Sequence, residues 1–431
     1  MIKFFHISDI HLGIENYGKV DPKTGIHSRL LDFKSSLEQC IDLAIEKKID
    51  FFLFCGDAYK TAYPTPTQQK ILIQLFLKLK EARIPVINVV GNHDHPLSFG
   101  KINSIEVFNY LLPKEFYVFC RPEILNLDTK SGPIQIVGIP WPTRNNIITT
   151  QGFHLKSSDE ITKYLSEAVG NIIKNFAKKL DPKIPAILTG HLTVGTGIFS
   201  GSEKCAVFGN DPVLLPSQLS LKEFDYVALG HLHRHQNLNK NGSPPIVYSG
   251  SIERIDFGER KEEKGFCYVK INDKTEKEKK CSFEFIKLKT RPMIQIDVVL
   301  EDGKDQTEQV LLEVKKHDLK DAIVKIVYYI PDGKSDKVDL KVIQRECCDA
   351  IQVVSIIPIR KTIVREKRAI LKINMEIDEL LEKYFETKEY SDEKKRSLLK
   401  KAKELYIECM NKKEEVNENK KQKTFMKIAQ M

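Results

Sequence analysis

Up to about residue 285, the hydrophobic positions of the chain follow two different periods. Short runs of consecutive apolar residues predict buried strands. Between them, apolar residues recur about every 3.6 positions, which is typical of helices that bury one face. The helical segments are 29–48, 67–83, 105–112 and 161–180, and further strands are predicted at 134–140 and 246–248. This alternation predicts a sheet layered by helices.

A second pattern begins at Met293. Strand-like runs at 293–300, 322–330 and 351–359 alternate with helical segments at 306–316 and 340–347. The β-α-β-α-β order predicts a small, separate α+β domain. From residue 362 onward the apolar residues form two helical stripes, the second between Leu398 and Met410. We therefore expect three parts, residues 1–285, 286–360 and 361–431.

Composition is that of a water-soluble, cytoplasmic protein. Hydrophobic residues make up 41% of the 431 positions and charged residues 29%, both ordinary for soluble chains. No apolar run approaches the ~20 residues that a membrane span needs, and the first strand begins too early to leave space for a secretory signal. The nine cysteines show no framework spacing, so we expect reduced thiols.

The net charge of +9 changes this picture only slightly. Residues 361–431 contain 19 Lys+Arg and 14 Asp+Glu, so +5 of the total lies there. A polyanionic partner and a solvated lysine-rich surface explain such a charge equally well. The two apolar stripes of the same segment pack either on the protein itself or on a partner.

Chemically informative residues follow five predicted strands, at 4–8, 51–55, 86–90, 186–189 and 226–229. Side chains just past the ends of such strands converge on one edge of an α/β sheet. We therefore expect a metal site built from these clusters. In chain order they contribute Asp9 and His11, Asp57, Asn92 with His93 and Asp94, His191, and His231 with His233.

Seven of these side chains are too many ligands for one first-row ion. The predicted ligands are Asp9, His11, Asp57, Asn92, His191, His231 and His233. Asp57 is the natural bridge, so that Asp9, His11 and His233 complete one site and Asn92, His191 and His231 the other. Imidazole and oxygen ligands without thiolate favour Mn, Fe or Zn over Mg or Ca. Two ions ~3.5–4 Å apart activate a water and clamp a phosphoryl oxygen, which predicts phosphoester hydrolysis without a covalent intermediate.

His93 is not counted among the ligands. We expect it to stabilise the pentacoordinate phosphorus or to protonate the leaving oxygen, with Asp94 orienting its ring. Asp-x-His and Gly-His alone are common and mostly structural, whereas Gly-Asn-His-Asp is moderately specific and Gly-His-x-His more so. The prediction depends on their joint, ordered occurrence after strands. Core or surface positions are expected for His6, which alternates into a strand, and for His27, His154 and His317, which lack partners. His95 and His235 flank the predicted site and are assigned no role.

In order and content, the motifs resemble those of the calcineurin-like metallophosphoesterase family. They are Asp9-x-His11, Gly56-Asp57, Gly91-Asn92-His93-Asp94, Gly190-His191 and Gly230-His231-x-His233. This resemblance covers about residues 1–260. Segments 56–60, 91–96 and 248–259 are similar to the SbcD branch of the family, the nuclease subunits of SbcCD-type DNA repair complexes.

The resemblance implies an α/β fold with a two-sheet αββα core, a small α+β capping domain and a C-terminal helical tail. It implies a nuclease with two Mn²⁺ that acts as a 3′→5′ exonuclease on duplex DNA ends and as an endonuclease on single strands and hairpins, in break repair and recombination. It further implies a homodimer at the nucleoid, whose tail binds an SbcC-type coiled-coil ABC ATPase. The metal roles carry over to the seven residues named above, and the catalytic role to His93.

One position departs from that pattern. Some relatives have a second active-site histidine three residues after the bridging aspartate, where this chain has Lys60. A lysine contacts phosphate as a point charge but does not replace a histidine in proton transfer. The balance between exonuclease and endonuclease activity stays open at this point.

Two other functions compete with that of a DNA nuclease. The first is a phosphodiesterase or phosphatase that uses the same two metals on a small molecule or a protein. The second is a non-catalytic scaffold that binds DNA ends for an ATPase. The additional domain and the basic tail argue against the first, and the complete set of ligands argues against the second.

Overall fold

The computed structural model describes residues 1–96, 101–111, 115–143, 158–201, 211–272, 281–360, 381–382, 385 and 392–406. The chain divides into two compact units, Met1–Ile359 and Arg360–Met431.

The first unit contains the strands and most of the helices of the described residues. The strands are β1 (Ile2–Ile7), β2 (Phe51–Phe54), β3 (Val86–Val89), β4 (Phe116–Phe119), β5 (Glu123–Thr129), β6 (Gly132–Ile139), β7 (Ala186–His191), β8 (Thr193–Val194), β9 (Val213–Leu214), β10 (Tyr226–Gly230), β11 (Gln236–Asn237), β12 (Ile246–Tyr248), β13 (Gly265–Ile271), β14 (Cys281–Lys287), β15 (Met293–Val299), β16 (Ile323–Ile330) and β17 (Gln352–Arg360). The helices are α1 (Ser28–Lys47), α2 (Pro66–Glu81), α3 (Val107–Leu111), α4 (Ser158–Ala177), α5 (Pro216–Leu219), α6 (Gln306–Val314) and α7 (Leu340–Glu346), with a 3₁₀ helix at Phe257–Glu259.

Two six-stranded sheets form the centre of this unit, in the orders β14-β13-β1-β2-β3-β4 and β11-β12-β10-β7-β6-β5. In the first sheet β1 to β4 run parallel to one another. In the second, β12, β10, β7 and β6 do the same. The antiparallel strands β13 and β14, and β5 and β11, lie outside these parallel groups.

The sheets pack face to face, and each carries helices on its outer face. Phe4, Phe51 and Leu53 of the first sheet lie in one buried cluster with Ile187 and Tyr226 of the second. The side chains of adjacent residues in β1 point to opposite faces, so that Phe5 joins a separate cluster with helices α1 and α2. The second sheet packs on α4 in the same way. The predicted two-sheet α/β core is confirmed.

Helix boundaries agree with the predicted segments to within a few residues. The entry to α2 shows why small shifts occur. The hydroxyl of Thr65 accepts from the N–H of Gln68, whose side chain accepts from the N–H of Thr65. This capping box places Pro66 in the first turn, where its missing N–H costs nothing.

Strands β15, β16 and β17 form a separate three-stranded sheet, with β15 and β16 parallel. Helices α6 and α7 pack on it around Val310, Ile326 and Ile343. The β-α-β-α-β order matches the predicted one. The boundaries of the predicted capping domain, 286 and 360, stay a prediction.

The second unit is described over few residues, of which 392–406 are helical. Leu398, Leu399 and Ala402 of the second predicted stripe are half-buried there, whereas Leu405 and Tyr406 are exposed. Most of the first predicted stripe, residues 377–385, lies outside the described residues. In the described parts of both units, we find no helix with the length and apolar character needed to cross a membrane.

Candidate metal centre

The backbone is unusual where the strands end. Asp9, His11, Asp57 and His231 have positive φ angles of 54°, 50°, 61° and 104°, a region that non-glycine residues rarely occupy. Hydrogen bonds maintain this geometry. The N–H group of Asp9 donates to the carbonyl of Gly56, and that of His11 to the carbonyl of Asp57, both at a distance of 3.0 Å. Strain of this kind is concentrated at functional sites.

Two glycines in the motifs are required by close packing. A Cβ at Gly56, where φ is +94°, would collide with the imidazole of His191. A Cβ at Gly230 would collide with the carbonyl of Cys55. These glycines let the ends of β2, β7 and β10 approach one another, and the ligand side chains with them.

The predicted ligands come from both sheets, and not from one edge of one sheet as the strand pattern suggested. Asp9, His11, Asp57 and Asn92 follow strands of the first sheet. His191 ends β7, and His231 and His233 follow β10 in the second sheet. Because the parallel strands of both sheets end on the same side, the clusters nevertheless meet.

Asp9, His11 and His233 form the first group of side chains. The Nε2 atoms of His11 and His233 are 3.2 Å apart, and Oδ1 of Asp9 is 3.9 Å from Nε2 of His11. The carboxylate of Asp9 also accepts from the backbone N–H of His231 at 3.1 Å. A residue of the first sheet is thereby held by the loop that carries His233.

Asn92, His191 and His231 form the second group. Oδ1 of Asn92 is 2.9 Å from Nε2 of His191 and 3.2 Å from Nδ1 of His231. Nε2 of His231 is buried and has no hydrogen-bond partner among the described residues. It lies 4.0 Å from Oδ2 of Asp211, so Nδ1, beside Oδ1 of Asn92, is the nitrogen of His231 that a cation held by this group would meet.

Asp57 lies between the two groups. Its Oδ2 atom is 3.6 Å from Nε2 of His11 and 3.3 Å from Nε2 of His191. One carboxylate oxygen therefore faces both groups, the position expected of a bridging ligand. In the described part of the chain, no lysine or arginine forms an ion pair with Asp57 or Asp9.

The donor set fits a pair of divalent cations. Donor atoms from Asp9, Asp57 and several histidines fall within 4.8 Å of one another in overlapping sets of three. One of these sets joins His11 and Asp57 to the exposed His93. The seven predicted ligands are buried, apart from the half-buried Asn92. Imidazole and carboxylate donors are the ligands that Mn, Fe and Zn prefer. Buried carboxylates without lysine or arginine partners require a positive charge to be stable.

The electrostatics of the site show strong coupling between Asp57 and His191. Burial alone would raise the pKa of Asp57, but the nearby His191 and His93 outweigh it and hold that pKa well below its usual value. Burial would lower the pKa of His191, but Asp57 raises it to about 9. At His11 and His231 burial dominates and keeps the pKa values well below 6.5. The negative charge of Asp57 thus favours the protonated form of His191.

His93 is the exposed member of the constellation. Its backbone N–H donates to Oδ1 of Asp57 at 2.9 Å, and its ring lies 4.9 Å from that of His11, nearly perpendicular to it. Its Nδ1 is 2.8 Å from the carbonyl oxygen of Lys60. Nδ1 therefore carries a proton, and Nε2 is the ring nitrogen available to a substrate.

The expectation that Asp94 orients the ring of His93 is wrong. The carboxylate of Asp94 is buried and accepts from the backbone N–H groups of Asp57, Ala58 and Gly91, at 2.8, 3.0 and 3.1 Å. Asp57 and Ala58 belong to the turn after β2 and Gly91 to the turn after β3, and a carboxylate can accept from several such donors at once. Asp94 thus shapes the loop that carries Asp57, and the carbonyl of Lys60 holds His93 instead.

Sequence reasoning missed three neighbours of the ligands. Nδ1 of His191 is 2.7 Å from the carbonyl of Cys55, a backbone partner that no motif reveals. Nδ1 of His233 is 2.8 Å from Oε1 of Glu259, a residue that lies in the 248–259 segment but had been given no role. The indole of Trp141 lies 4.9 Å from the ring of His231, and its position after β6 was the available signal.

Comparison with known proteins agrees with this geometry at the level of the family. The chain matches the family model described as calcineurin-like phosphoesterase over residues 2–235, a range that includes all seven predicted ligands and His93. Among solved structures it is similar to a dimetal phosphatase from Danio rerio, with 12% identity and a TM-score of 0.38, over 62% of this chain and 92% of that one. It is also similar to purple acid phosphatase PPD1 from yellow lupin (Lupinus luteus) seeds, with 12% identity and a TM-score of 0.37, over 66% of this chain and 51% of that one.

Proposed function

Because this chain belongs to the calcineurin-like phosphoesterase family, a family whose chemistry is metal-dependent hydrolysis of phosphoesters, we propose that it is a DNA nuclease subunit that cleaves phosphodiester bonds. The observation that carries the proposal is the position of Asp57 between two groups of buried metal-type ligands. Mn²⁺ is the metal we propose for both groups.

When bound, two divalent cations supply an activated water and positive charge for the phosphoryl oxygens. The protein contributes the remaining steps. Asp57 holds the two groups of ligands in register, and Asp9 ties the loop after β1 to the loop after β10. His93 presents Nε2 to the solvent side of the site. A second proton, taken up from solvent on Nε2, is the one the ring donates to the leaving oxygen, while the Nδ1 proton stays bonded to the carbonyl of Lys60. The bond from Nδ1 to the carbonyl of Lys60 keeps the ring in that orientation.

Specificity for DNA is supported by features outside the ligand set. Segments 56–60, 91–96 and 248–259 resemble the SbcD branch, and the chain carries a net charge of +9. Lys60 and Arg234 are exposed residues next to ligand loops in sequence. Cationic side chains of this kind attract a phosphate backbone without regard to sequence, as a nuclease that acts on DNA ends requires.

We also propose a coiled-coil ABC ATPase of the SbcC type as partner, and a homodimer as the assembly. Support for the partner comes from the tail. Leu405 and Tyr406 are 53% and 42% exposed in the helical segment 392–406. An amphipathic helix with an exposed apolar stripe is suited to lie in the groove of a helical partner.

A phosphodiesterase or phosphatase acting on a small molecule or a protein is the second candidate. The family match over residues 2–235 is equally compatible with it, because that match includes neither the β15–β17 sheet nor the tail. Hydrolysis of the phosphoester bond would then be the same, and only the substrate would differ.

Cleavage of a linear 5′- or 3′-labelled duplex by the full-length protein with Mn²⁺, alone and with an ATPase partner, tests the proposal. The expected result is that 5′-labelled strands shorten progressively from their 3′ ends, and that Asp57→Asn abolishes this shortening. Hydrolysis restricted to nitrophenyl-type esters or cyclic nucleotides would refute the nuclease and support the second candidate. Tight, salt-sensitive binding of the duplex without cleavage would leave only the scaffold.

A further inference from the structure

One buried ion pair holds both the ring and the backbone of His233. Oε1 of Glu259 lies 2.8 Å from Nδ1 of His233. Nζ of Lys264 donates to the carbonyl of His233 at 3.0 Å and pairs with Oε2 of Glu259 at 2.8 Å. Both charged side chains are at most 1% exposed, so solvent does not screen the pair. The N–H of Ile255 also donates to Oε2 at 3.0 Å, which fixes the plane of the carboxylate.

This contact decides which nitrogen of His233 faces the candidate metal centre. A carboxylate paired with a lysine accepts hydrogen bonds and does not donate them. Nδ1 of His233 must therefore carry the proton, and the lone pair is on Nε2. That nitrogen is the one that lies 3.2 Å from Nε2 of His11. Glu259 thus presents His233 to the site in the tautomer that binds a cation.

The second group of ligands is supported in a different way. Nδ1 of His191 lies against the carbonyl of Cys55, a neutral acceptor. Nε2 of His231 lies 4.0 Å from Oδ2 of Asp211, which is beyond hydrogen-bond distance. Within the described ranges, His233 is the predicted ligand whose Nδ1 contacts the carboxylate of a glutamate, Glu259, which is itself paired with Lys264. A carboxylate at that position makes an imidazole more basic and a better ligand than a neutral carbonyl does. The two groups are therefore chemically unequal.

We infer that Glu259, with Lys264 as its counter-ion, is a positioning residue that strengthens metal binding by the Asp9, His11 and His233 group over the other group. The inference rests on the metal-dependent part of the proposed function and not on its substrate. The competing explanation is that the ion pair only stabilises the segment 251–264. The two differ in whether one metal or both metals are affected.

The test is a titration of Mn²⁺ into the metal-free, full-length protein. Calorimetry measures the binding steps, and electron paramagnetic resonance monitors the bound Mn²⁺. The variants are Glu259→Gln, which is nearly isosteric and leaves Lys264 paired with Glu262, and the double variant Glu259→Gln with Lys264→Met, which removes both charges of the buried pair. We expect wild type to bind two Mn²⁺ and to show the signal of a coupled pair. In both variants one binding step should weaken about 10- to 100-fold, and the other should be unchanged.

The matched control is Glu263→Gln. Glu263 lies on the same segment, but it pairs with Lys287 in the solvent-exposed region, so both binding steps should stay as in wild type. A second comparison uses His233→Ala. Because Glu259 acts through His233, adding Glu259→Gln to His233→Ala should produce no further loss of affinity.

Several results would overturn the inference. One is an equal weakening of both Mn²⁺ binding steps, and another is a titration that is the same as in wild type. The others are failure of both the single and the double variant to fold, and a full further loss of Mn²⁺ affinity when Glu259→Gln is added to His233→Ala. Since no nucleic acid is present in these titrations, their outcome is separate from that of the cleavage assay. A protein with the expected asymmetry that does not cut DNA would refute the nuclease and leave the role of Glu259 in place.

Discussion

Nδ1 of His93 lies 2.8 Å from the carbonyl oxygen of Lys60, so the residue that stands where some relatives have a second histidine orients the first one through its backbone. The side chain of Lys60 is exposed and takes no part in this contact. Substitutions of the Lys60 side chain therefore leave the support of His93 in place.

Replacing His93 by alanine should reduce cleavage about 10²- to 10⁴-fold, because general acid catalysis of this size is lost with the ring. Both Mn²⁺ should remain bound, since none of the metal groups requires His93. Calorimetric Mn²⁺ titration beside the cleavage assay checks both parts. The control is His95→Ala, whose ring contacts the Pro96 carbonyl. Loss of one Mn²⁺ from His93→Ala would make His93 a ligand.

Asp94→Asn should destabilise the loop after β2. An amide offers one acceptor oxygen, and its NH₂ group would face the N–H donors that the carboxylate now accepts. Buried donors left unpaired cost about 1–3 kcal/mol each, so we expect the free energy of unfolding in urea to fall by about 2–3 kcal/mol. Mn²⁺ affinity should fall with it, as Asp57 shifts. Asp128→Asn, on the exposed side of β5, should change neither quantity.

Acidification should destabilise the protein through His6. The ring is buried, with Nε2 donating to the carbonyl of Leu229 and Nδ1 next to the hydroxyl of Tyr226. Burial lowers the pKa of His6 from 6.5 to about 3. In the unfolded chain His6 therefore binds a proton near pH 6.5, whereas in the folded protein it stays neutral until about pH 3. Stability is lost as the pH falls from about 6.5 towards 3.

The size of that effect is measurable against a variant. At about 1.4 kcal/mol per pH unit, wild type should lose about 2 kcal/mol more stability than His6→Asn between pH 7.5 and pH 5. Urea unfolding at the two pH values measures the difference. Parallel pH profiles for the two proteins would show that His6 is not held neutral in the folded state.

Arg291→Ala should weaken the contact between the β15–β17 sheet and the rest of the first unit. The guanidinium of Arg291 contacts both carboxylate oxygens of Asp32 at 2.6–2.8 Å and donates to the carbonyl of Asp321 at 2.8 Å. Asp32 keeps its other partner, the buried Arg29, so the core itself should stay folded. We expect amide hydrogen exchange in β15 and β16 to be faster in the variant than in wild type, whereas exchange in β1 should be unchanged. Lys287→Ala, which removes an exposed ion pair with Glu263, should leave the exchange rates unchanged.

Deleting residues 361–431 should abolish association with the ATPase and spare hydrolysis of a small nitrophenyl ester, since the predicted ligands all precede residue 234. Co-purification and ester hydrolysis measure the two effects. A finer variant, Leu405→Ser with Tyr406→Ser, removes exposed apolar surface without shortening the chain and should weaken association in the same direction. Undiminished association of either variant would refute docking through the tail.

Most of the core could be predicted from the sequence because its signals are local. The strands around Phe52, Ile87 and Val227 are apolar on both faces, a pattern that helices in this chain do not share. The seven proposed ligands could be selected because each one follows such a strand. Helix ends were less certain, since Thr65 and Gln68 satisfy the first turn of α2 by a contact that periodicity does not describe.

The amino-acid sequence alone determined which elements form and which side chains follow them, because strand and helix periods are properties of neighbouring residues. Only the tertiary structure decided that these side chains come from two sheets, that Asp57 faces both groups, and that Glu259 and the carbonyls of Cys55 and Lys60 hold the histidines. Such partners are far apart along the chain, and backbone carbonyls have no residue-type signature. Their roles follow from the packing of the two sheets, which brings the strand ends together.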